Sequence, residues 1–404
     1  MDYTRFFSSD TQFMRASEVR ELLKLTEGRR VISLAGGLPD PSTFPREELS
    51  EIAKYVIEEH GSKALQYAPT KGVTLYRQAL ADFLYRNRQI KVDIENIIVT
   101  TGSQQALDII ARTLIDPGDY VVVEEPTYLA ALNAFRIRRP NFVGVPVDDD
   151  GMRVDILEEK LRRLRSEGKR VKLLYTVPIA QNPSGVTLSY ERKRRLVELA
   201  EEFDFLIVED DVYGLLVYRD DVDTRPLTVL DRSGRIIYLG SFSKILSPGM
   251  RLGHIVAPQP LIDMFERAKQ SMDLHTPTLT QYIAAEALKR RVIENNLPKI
   301  KRLYIEKRDA MLEALEEHFV KSAWWTRPIG GMFVWVKLNA DIDTSDLLKK
   351  AVDRGVAYVP GKAFYHDGSG IDTMRLNFTY PSIEDIRKGI EILASVVKEA
   401  LGHG

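Results

Sequence analysis

The stretch that decides the fold is Gly240-Ser-Phe-Ser-Lys-Ile-Leu-Ser-Pro-Gly-Met-Arg-Leu-Gly253. It places Lys244 seven residues before Arg251 and close to the hydroxyls of Ser241 and Ser243. A primary amine can form a Schiff base with an aldehyde, while hydroxyls and a guanidinium can bind a phosphate dianion. An apolar run over residues 235–239 predicts a strand that leads into the stretch. We therefore expect a site here for an aldehyde-bearing, phosphorylated cofactor.

The same stretch resembles the lysine motif of fold-type I, class I and II aminotransferases, which use pyridoxal 5'-phosphate (PLP). The resemblance covers nearly the whole chain. It implies an α/β fold with a large, mostly parallel-sheet domain and a smaller α+β domain. It also implies amino acid and 2-oxo acid substrates, and a homodimer with shared active sites.

The periodicity of the chain agrees with that fold. Short apolar runs predict strands at residues 96–101, 120–123, 171–177, 205–209, 236–239 and 252–257, and helical patterns at 104–114 and 189–203 lie between them. Strands that alternate with helices predict a mostly parallel sheet covered on both faces. After about residue 300 the pattern changes to a charged helix (297–318), strands at 332–336, 356–359 and 374–378, and a helix at 382–401. We therefore expect an N-terminal arm and helix (1–45), a large PLP-binding domain (46–295) and a small domain (296–404).

Polar residues follow the predicted strands, where the loops of such sheets build sites. Ser103 opens a predicted helix, so its hydroxyl and the helix-start amides suit a phosphate, although a plain N-cap is the alternative. Asp210 and Tyr213 end a very apolar strand, and their alternative is an acidic strand end at the surface. Asn182 precedes a proline and is also typical of a turn, while a loop tyrosine such as Tyr128 is usually a packing residue.

The resemblance assigns a role to each of these positions. Lys244 would hold PLP and move the proton at the substrate α carbon, and Asp210 would pair with the pyridine nitrogen. Asn182 and Tyr213 would bond the ring oxygen, and Tyr128 would stack on the ring. The phosphate would be held by Ser103, Gln104, Ser241, Ser243 and Arg251, together with Tyr67 lent from the partner subunit.

The resemblance also indicates the substrate site. Arg375 would grip the α-carboxylate beside Asn182, although a surface arginine on a strand is the alternative. The amino-terminal run at residues 15–23 and the Gly36-Gly37 pair are similar to a subgroup that handles 2-aminoadipate, kynurenine and aromatic amino acids. There Arg20 would meet a distal carboxylate or lie on the wet face of its helix. We expect broad specificity, with glutamate and 2-oxoglutarate as one pair.

Composition limits the other possibilities. A net charge of -1 gives no indication of a basic surface that would bind nucleic acid or an anionic membrane. The absence of cysteine excludes disulfides and thiolate sites, and the six histidines show no metal-binding spacing, so we predict no metal. Without a long apolar run or a signal-like start, we expect a cytoplasmic protein with no membrane partner. Abundant Lys, Arg and Glu also favour a heat-loving source.

The sequence also offers three alternatives to an aminotransferase. A C-S lyase or decarboxylase on this scaffold would share every cofactor residue. A non-catalytic, aminotransferase-like ligand sensor would need a DNA-binding module, for which the first 30 residues leave no room. The Ser241-Phe-Ser-Lys244 motif also occurs in serine hydrolases, but the accompanying motifs of that class are missing.

Overall fold

The computed structural model describes residues 1–16 and 30–402. Within these ranges the strands are β1 (Ile32–Ser33), β2 (Ile97–Thr100), β3 (Tyr120–Glu125), β4 (Asn141–Asp148), β5 (Gly151–Met152), β6 (Val171–Thr176), β7 (Leu206–Asp210), β8 (Ile236–Ser241), β9 (Gly253–Val256), β10 (Trp324–Trp325), β11 (Phe333–Lys337), β12 (Val356–Ala357), β13 (Val359–Pro360) and β14 (Thr373–Asn377). The helices are Arg46–Ala64, Thr74–Arg88, Ser103–Leu114, Leu129–Arg136, Val154–Ser166, Tyr190–Phe203, Leu227–Leu230, Gln259–Met272, Thr278–Lys289, Val292–His318, Thr344–Asp353 and Ile383–Ala400.

The large sheet has eight strands in the order β2-β9-β8-β7-β6-β3-β4-β5. The pairs from β8 through β7, β6 and β3 to β4 are parallel, while β9 runs antiparallel to both of its neighbours. Both faces are covered, since Val121 and Val123 pack into one apolar core and Val122 packs into another. Burial on both faces explains why these strands read as continuous apolar runs in the sequence. The predicted α/β fold with a mostly parallel sheet is confirmed.

A second sheet, β10-β11-β14-β13, is antiparallel. The amino-terminal strand β1 pairs with β12 in parallel, which ties the chain before residue 34 to the carboxyl-terminal part. The Val292–His318 helix crosses the expected boundary at residues 295/296 without a break. Our three-part division of the chain remains a prediction.

Other boundaries differ from the sequence predictions in instructive places. The sequence did not predict β4, because Gly144 and Pro146 interrupt its apolar pattern, yet β4 pairs with β3 over six residues. The long helix begins at Val292 and not at residue 297, and it includes Pro298 within its first two turns. The predicted amino-terminal helix falls largely on residues 17–29, outside the described residues. Within residues 1–16 and 30–402, no helix combines the length and the apolar character needed to cross a membrane.

Candidate active site

The carboxyl ends of β3, β6, β7 and β8 meet at one edge of the large sheet, because these strands are parallel. A cavity of about 410 Å³ lies at this edge. Its walls include most of the predicted site residues: Gly37, Ser103, Gln104, Tyr128, Asn182, Asp210, Tyr213, Ser241, Ser243, Lys244, Arg251 and Arg375. Residues separated by more than 300 positions in the sequence therefore share one small volume.

Lys244 lies just after β8, and its side chain points into the cavity. Its Nζ donates a hydrogen bond to the carbonyl oxygen of Gly37 at 2.7 Å. Burial lowers the pKa of this amine to about 8, and the positive charges of Arg375 and Arg251 act in the same direction. Part of the amine is therefore neutral near pH 8, as a nucleophile or a proton acceptor must be.

Asp210 ends β7 and is 2% exposed, so the surface alternative for this acidic strand end is wrong. Its Oδ2 accepts a hydrogen bond from the Tyr175 hydroxyl at 2.8 Å. Its Oδ1 is buried and finds no hydrogen-bond partner among residues 1–16 and 30–402. Burial raises the pKa of this carboxyl to about 7, although the Tyr175 hydrogen bond opposes the rise. Such a group favours a positively charged partner in the cavity.

The Ser103–Leu114 helix begins at the cavity, and its N-cap is Gly102 (φ 80°, ψ 166°), with no side-chain capping bond. The N-cap alternative for Ser103 is therefore wrong. The Gln105 amide donates to the Gly102 carbonyl at 3.2 Å, while the preceding amides of Ser103 and Gln104 are suited to bind an anion. A Cβ on Gly102 would lie 2.4 Å from Nη2 of Arg251, and a Cβ on Gly253 would lie 2.9 Å from the Ser103 nitrogen. Both glycines are needed so that the helix start and Arg251 can approach each other this closely.

The two serines of the lysine stretch complete this cation-rich corner. The Ser241 hydroxyl donates to Ser243 Oγ at 3.0 Å and accepts from the Ser243 backbone N–H at 3.2 Å. Arg251 has a left-handed backbone (φ 52°), and its Nη2 donates to the Thr101 carbonyl at 3.3 Å. Hydroxyls, helix-start amides and a guanidinium thus converge as an anion seat.

Arg375 lies on β14 with only 3% of its surface exposed, so the surface alternative is wrong for this residue too. Its two terminal nitrogens donate to Asn182 Oδ1 at 2.8 Å and to the Ala35 carbonyl at 2.7 Å. Its guanidinium carbon lies 4.2 Å from the centre of the Phe333 ring. Burial lowers the Arg375 pKa to about 10, which leaves it charged at neutral pH and able to bind a carboxylate.

Tyr128 and Tyr213 present phenols to the same cavity. Burial raises the pKa of both above the ordinary tyrosine value, and the Asp210 charge adds to the rise. Both hydroxyls therefore stay protonated and can donate hydrogen bonds. The Tyr213 ring packs edge-on against Phe333, with centroids 6.2 Å apart, and this contact fixes its position.

Comparison with known proteins agrees with this geometry. Residues 30–393 match the family described as "Aminotransferase class I and II". The chain belongs to this family. Its enzymes are PLP-dependent aminotransferases, as this chain is, and the predicted fold, activity and cofactor are confirmed.

Named relatives and solved structures of the aminotransferase show what the chain is similar to. It is 52% identical to an "Aromatic-amino-acid aminotransferase 1" of Thermococcus litoralis, over 99% of this chain and 96% of that one. A "multiple substrate aminotransferase" from Thermococcus profundus has 52% identity, covers 100% of both chains and superposes with a TM-score of 0.96. A Pyrococcus horikoshii "kynurenine aminotransferase", in complex with PMP, has 50% identity and a TM-score of 0.95, over 99% of this chain and 98% of that one. These relatives support the aminotransferase prediction and give no support to its alternatives.

The cavity of the aminotransferase fits the PLP molecule on its own chemistry. An amine of lowered pKa suits the aldehyde, and the unpartnered Asp210 oxygen suits a protonated pyridine nitrogen. The anion seat beside Gly102 suits the phosphate. Three functional groups of one molecule therefore find three complementary groups in the cavity.

One predicted residue of the aminotransferase, Tyr67, is not among the cavity-lining residues that the structure describes. Tyr67 is 78% exposed, and its ring meets His275 edge-on, with centroids 5.7 Å apart. Arg20 falls outside the described residues.

Sequence reasoning missed a buried network beneath the cavity. Glu124 Oε1 accepts from the Thr176 hydroxyl at 2.9 Å, and Oε2 accepts from Gln181 Nε2 at 2.9 Å. Gln181 also donates to the Pro126 carbonyl at 2.7 Å, which links the segment carrying Tyr128 to the one carrying Asn182. Glu124 and Glu125 at the end of the apolar strand β3 were the signal that could have revealed this network, because a buried carboxylate needs hydrogen-bond partners.

Proposed function

We propose that the cavity binds PLP through Lys244, Asp210 and the anion seat, and transfers amino groups between amino acids and 2-oxo acids. The observation that carries the proposal is the convergence of a low-pKa amine, a half-satisfied buried carboxylate and an anion seat in one volume of about 410 Å³. Asn182 and Tyr213 would bind the ring oxygen. Tyr128 would lie against the ring, and the phosphate would be held by Ser103, Gln104, Ser241, Ser243 and Arg251.

Bound PLP supplies an electron sink that stabilises negative charge on the substrate α carbon. The chain must then move one proton at that carbon and exclude water. Lys244 Nζ is suited to take and return this proton, because burial and two arginines keep part of it neutral. Asp210 would pair with the ring nitrogen of the bound cofactor and favour its protonated form. Two half-reactions follow, in which one amino acid leaves as a 2-oxo acid and a second 2-oxo acid takes the amino group.

We propose that Arg375 binds the substrate α-carboxylate with two parallel hydrogen bonds, beside Asn182. Both terminal nitrogens of Arg375 now donate to protein oxygens, so the carboxylate would replace those partners. Gly37 borders the same space, where a Cβ would lie 3.5 Å from the Phe333 ring. The absence of a side chain there leaves room for substrate beside an aromatic wall.

The proposed substrates are aromatic amino acids, kynurenine, 2-aminoadipate and glutamate, with 2-oxoglutarate as an acceptor. The apolar and aromatic lining, Leu129, Ala130 and Phe333, supports the first two. The names of the relatives in Thermococcus and Pyrococcus support the same breadth. For the acidic donors we propose Arg20 as the contact to the distal carboxylate. In steady-state assays, Arg20→Ala should then lower kcat/KM for 2-aminoadipate much more than kcat/KM for phenylalanine. Equal losses for the two donors would make Arg20 a structural residue.

We also propose a cytoplasmic homodimer from a heat-loving source, in which Tyr67 reaches the phosphate in the partner subunit. The exposure of Tyr67, together with the exposed apolar side chains of Leu65 and Leu274, supports a protein contact at this surface. Mixing Lys244→Ala subunits with Tyr67→Phe subunits tests the sharing. Mixed dimers would contain one site with both native residues, so activity above that of either parent is expected. A mixture no more active than its parents would refute shared sites.

The reaction itself has a direct test. The purified protein should be yellow, because bound PLP absorbs near the boundary between visible and ultraviolet light. Glutamate should bleach this band and 2-oxoglutarate should restore it. If no amino acid tried produced this exchange, the aminotransferase proposal would fail.

A further inference from the structure

Only one oxygen of the Asp210 carboxylate has a hydrogen-bond partner within the described residues, and that partner is Tyr175. Tyr175 lies on β6 beside β7, where its Cα partner is Val208. Its hydroxyl donates to Asp210 Oδ2 at 2.8 Å, while Oδ1 has no partner within the described ranges. The two oxygens of the Asp210 carboxylate therefore differ. Oδ2 is bound by a residue of the sheet, and Oδ1 is available to a ligand.

The Tyr175 side chain is buried and held in place by packing. It is 0% exposed, and its ring packs edge-on against Phe135, with centroids 5.8 Å apart and planes at 79°. Burial raises its pKa well above the ordinary value, so the hydroxyl stays protonated. The hydroxyl can therefore donate to Asp210 throughout the physiological pH range. Tyr175 is not among the cavity-lining residues that the structure describes, so it acts through Asp210.

We propose that Tyr175 is a positioning residue that turns the free oxygen of Asp210 towards the cofactor nitrogen and favours the ionised carboxylate. This inference rests on the proposed function, because it requires the pyridine nitrogen to face Asp210. A hydroxyl that donates to a carboxylate stabilises its charged form, which is the form that pairs with a protonated ring. Without this hydrogen bond, the carboxylate could rotate and share its charge less effectively with the ring.

The neighbouring strand offers a matched control. Tyr238, on β8, is 2% exposed, and its hydroxyl donates to Asp211 Oδ2 at 2.9 Å. Asp211 directly follows Asp210 but pairs with Arg88 at 2.7 Å. The two tyrosines make the same kind of bond to consecutive aspartates, and of the four residues only Asp210 is among the cavity-lining residues that the structure describes.

The experiment compares Tyr175→Phe with Tyr238→Phe, both purified with PLP and both freed of it. Phenylalanine keeps the ring packing, and thermal unfolding of the cofactor-free proteins would verify that both variants fold. The dissociation constant of PLP is measured by titration, and the absorbance of the bound cofactor is recorded. Tyr175→Phe should weaken PLP binding about tenfold and change the cofactor spectrum, since a bond to a charged group is lost. Tyr238→Phe should do neither.

Equal PLP affinity and equal spectra in the two variants would overturn the role of Tyr175. Asp210→Asn separates this failure from failure of the proposed function. If Asp210→Asn weakens PLP binding while Tyr175→Phe does not, only the positioning role is wrong. If Asp210→Asn also leaves PLP binding unchanged, the proposed pairing with the ring nitrogen is wrong.

Discussion

Replacing Asp210 by asparagine should stabilise the cofactor-free protein while weakening its hold on PLP. The exchange keeps the shape of the side chain and an oxygen that can accept from Tyr175. It removes a charge that is 98% buried and has one unpartnered oxygen. Asp210 would then lower the stability of the cofactor-free protein although it favours cofactor binding. Such a trade-off is expected at active sites.

The magnitude follows from the pKa of Asp210, which rises from 3.8 to about 7. A raised carboxyl pKa means that the folded protein binds the proton more tightly than the unfolded chain. Stability from this group is therefore complete below pH 3.8 and is lost as the pH rises through about 7. The shift of about 3 units at roughly 1.4 kcal/mol per unit corresponds to about 4 kcal/mol above pH 7. We expect Asp210→Asn to recover about 2–4 kcal/mol there, because the new amide also needs a partner.

The assay is unfolding of cofactor-free protein by denaturant or heat between pH 4 and pH 8.5. The advantage of Asp210→Asn should grow from about pH 4 to about pH 7 and stay constant above. Asp211→Asn is the control, because it breaks the buried pair with Arg88 and should destabilise by about 3–5 kcal/mol. If Asp210→Asn were less stable than the native protein at pH 8.5, burial of the Asp210 charge would not destabilise the cofactor-free protein as argued above.

Three further outcomes test other parts of the site. Gly102→Ala places a Cβ 2.4 Å from Arg251 and should weaken PLP binding about tenfold. The control Gly118→Ala, with a similar positive φ and open space around it, should change stability alone, and equal PLP affinities of the two variants in titration would count against the anion seat. Arg375→Lys loses the two-pronged contact and should raise the KM for amino donors about tenfold with PLP affinity unchanged, so an unaltered KM would remove Arg375 from the substrate site. Recombination of cofactor-free protein with PLP should accelerate as the pH rises through about 8, because neutral Lys244 is the reactive form, and a rate independent of pH would contradict the lowered pKa.

The cofactor groups could be predicted from the sequence because each follows a strong local pattern. Lys244, Arg251 and Ser103 lie at the ends of recognisable strands or the start of a helix, and parallel strands bring such ends to one edge. The surroundings could not be predicted in the same way. Tyr175 reads as one more apolar strand residue, because its hydroxyl partner is 35 positions away in the sequence.

Burial was the property that local sequence predicted worst. Arg375 was compatible with a surface strand, yet the rings of Phe333 and Phe364 pack against its guanidinium and only 3% of the residue is exposed. The strand β4 was missed because Pro146 suggests a break, although β4 lies between β3 and β5 in the sheet. The missed strand and the undecided burial of Arg375 have the same origin, since the neighbours of a strand are set by the tertiary fold and not by the segment itself.

The most direct measurement reduces the holoprotein with borohydride, which fixes PLP to whichever amine holds it, and locates the label by mass spectrometry. The account predicts a single label on the peptide that contains Lys244, and none after Lys244→Ala. Lys269 is an internal comparison, since its side chain is buried but its Nζ donates to Asp273 at 2.8 Å. A label on Lys269 or any other lysine, with Lys244 unmodified, would contradict the assignment of the cavity as the PLP site.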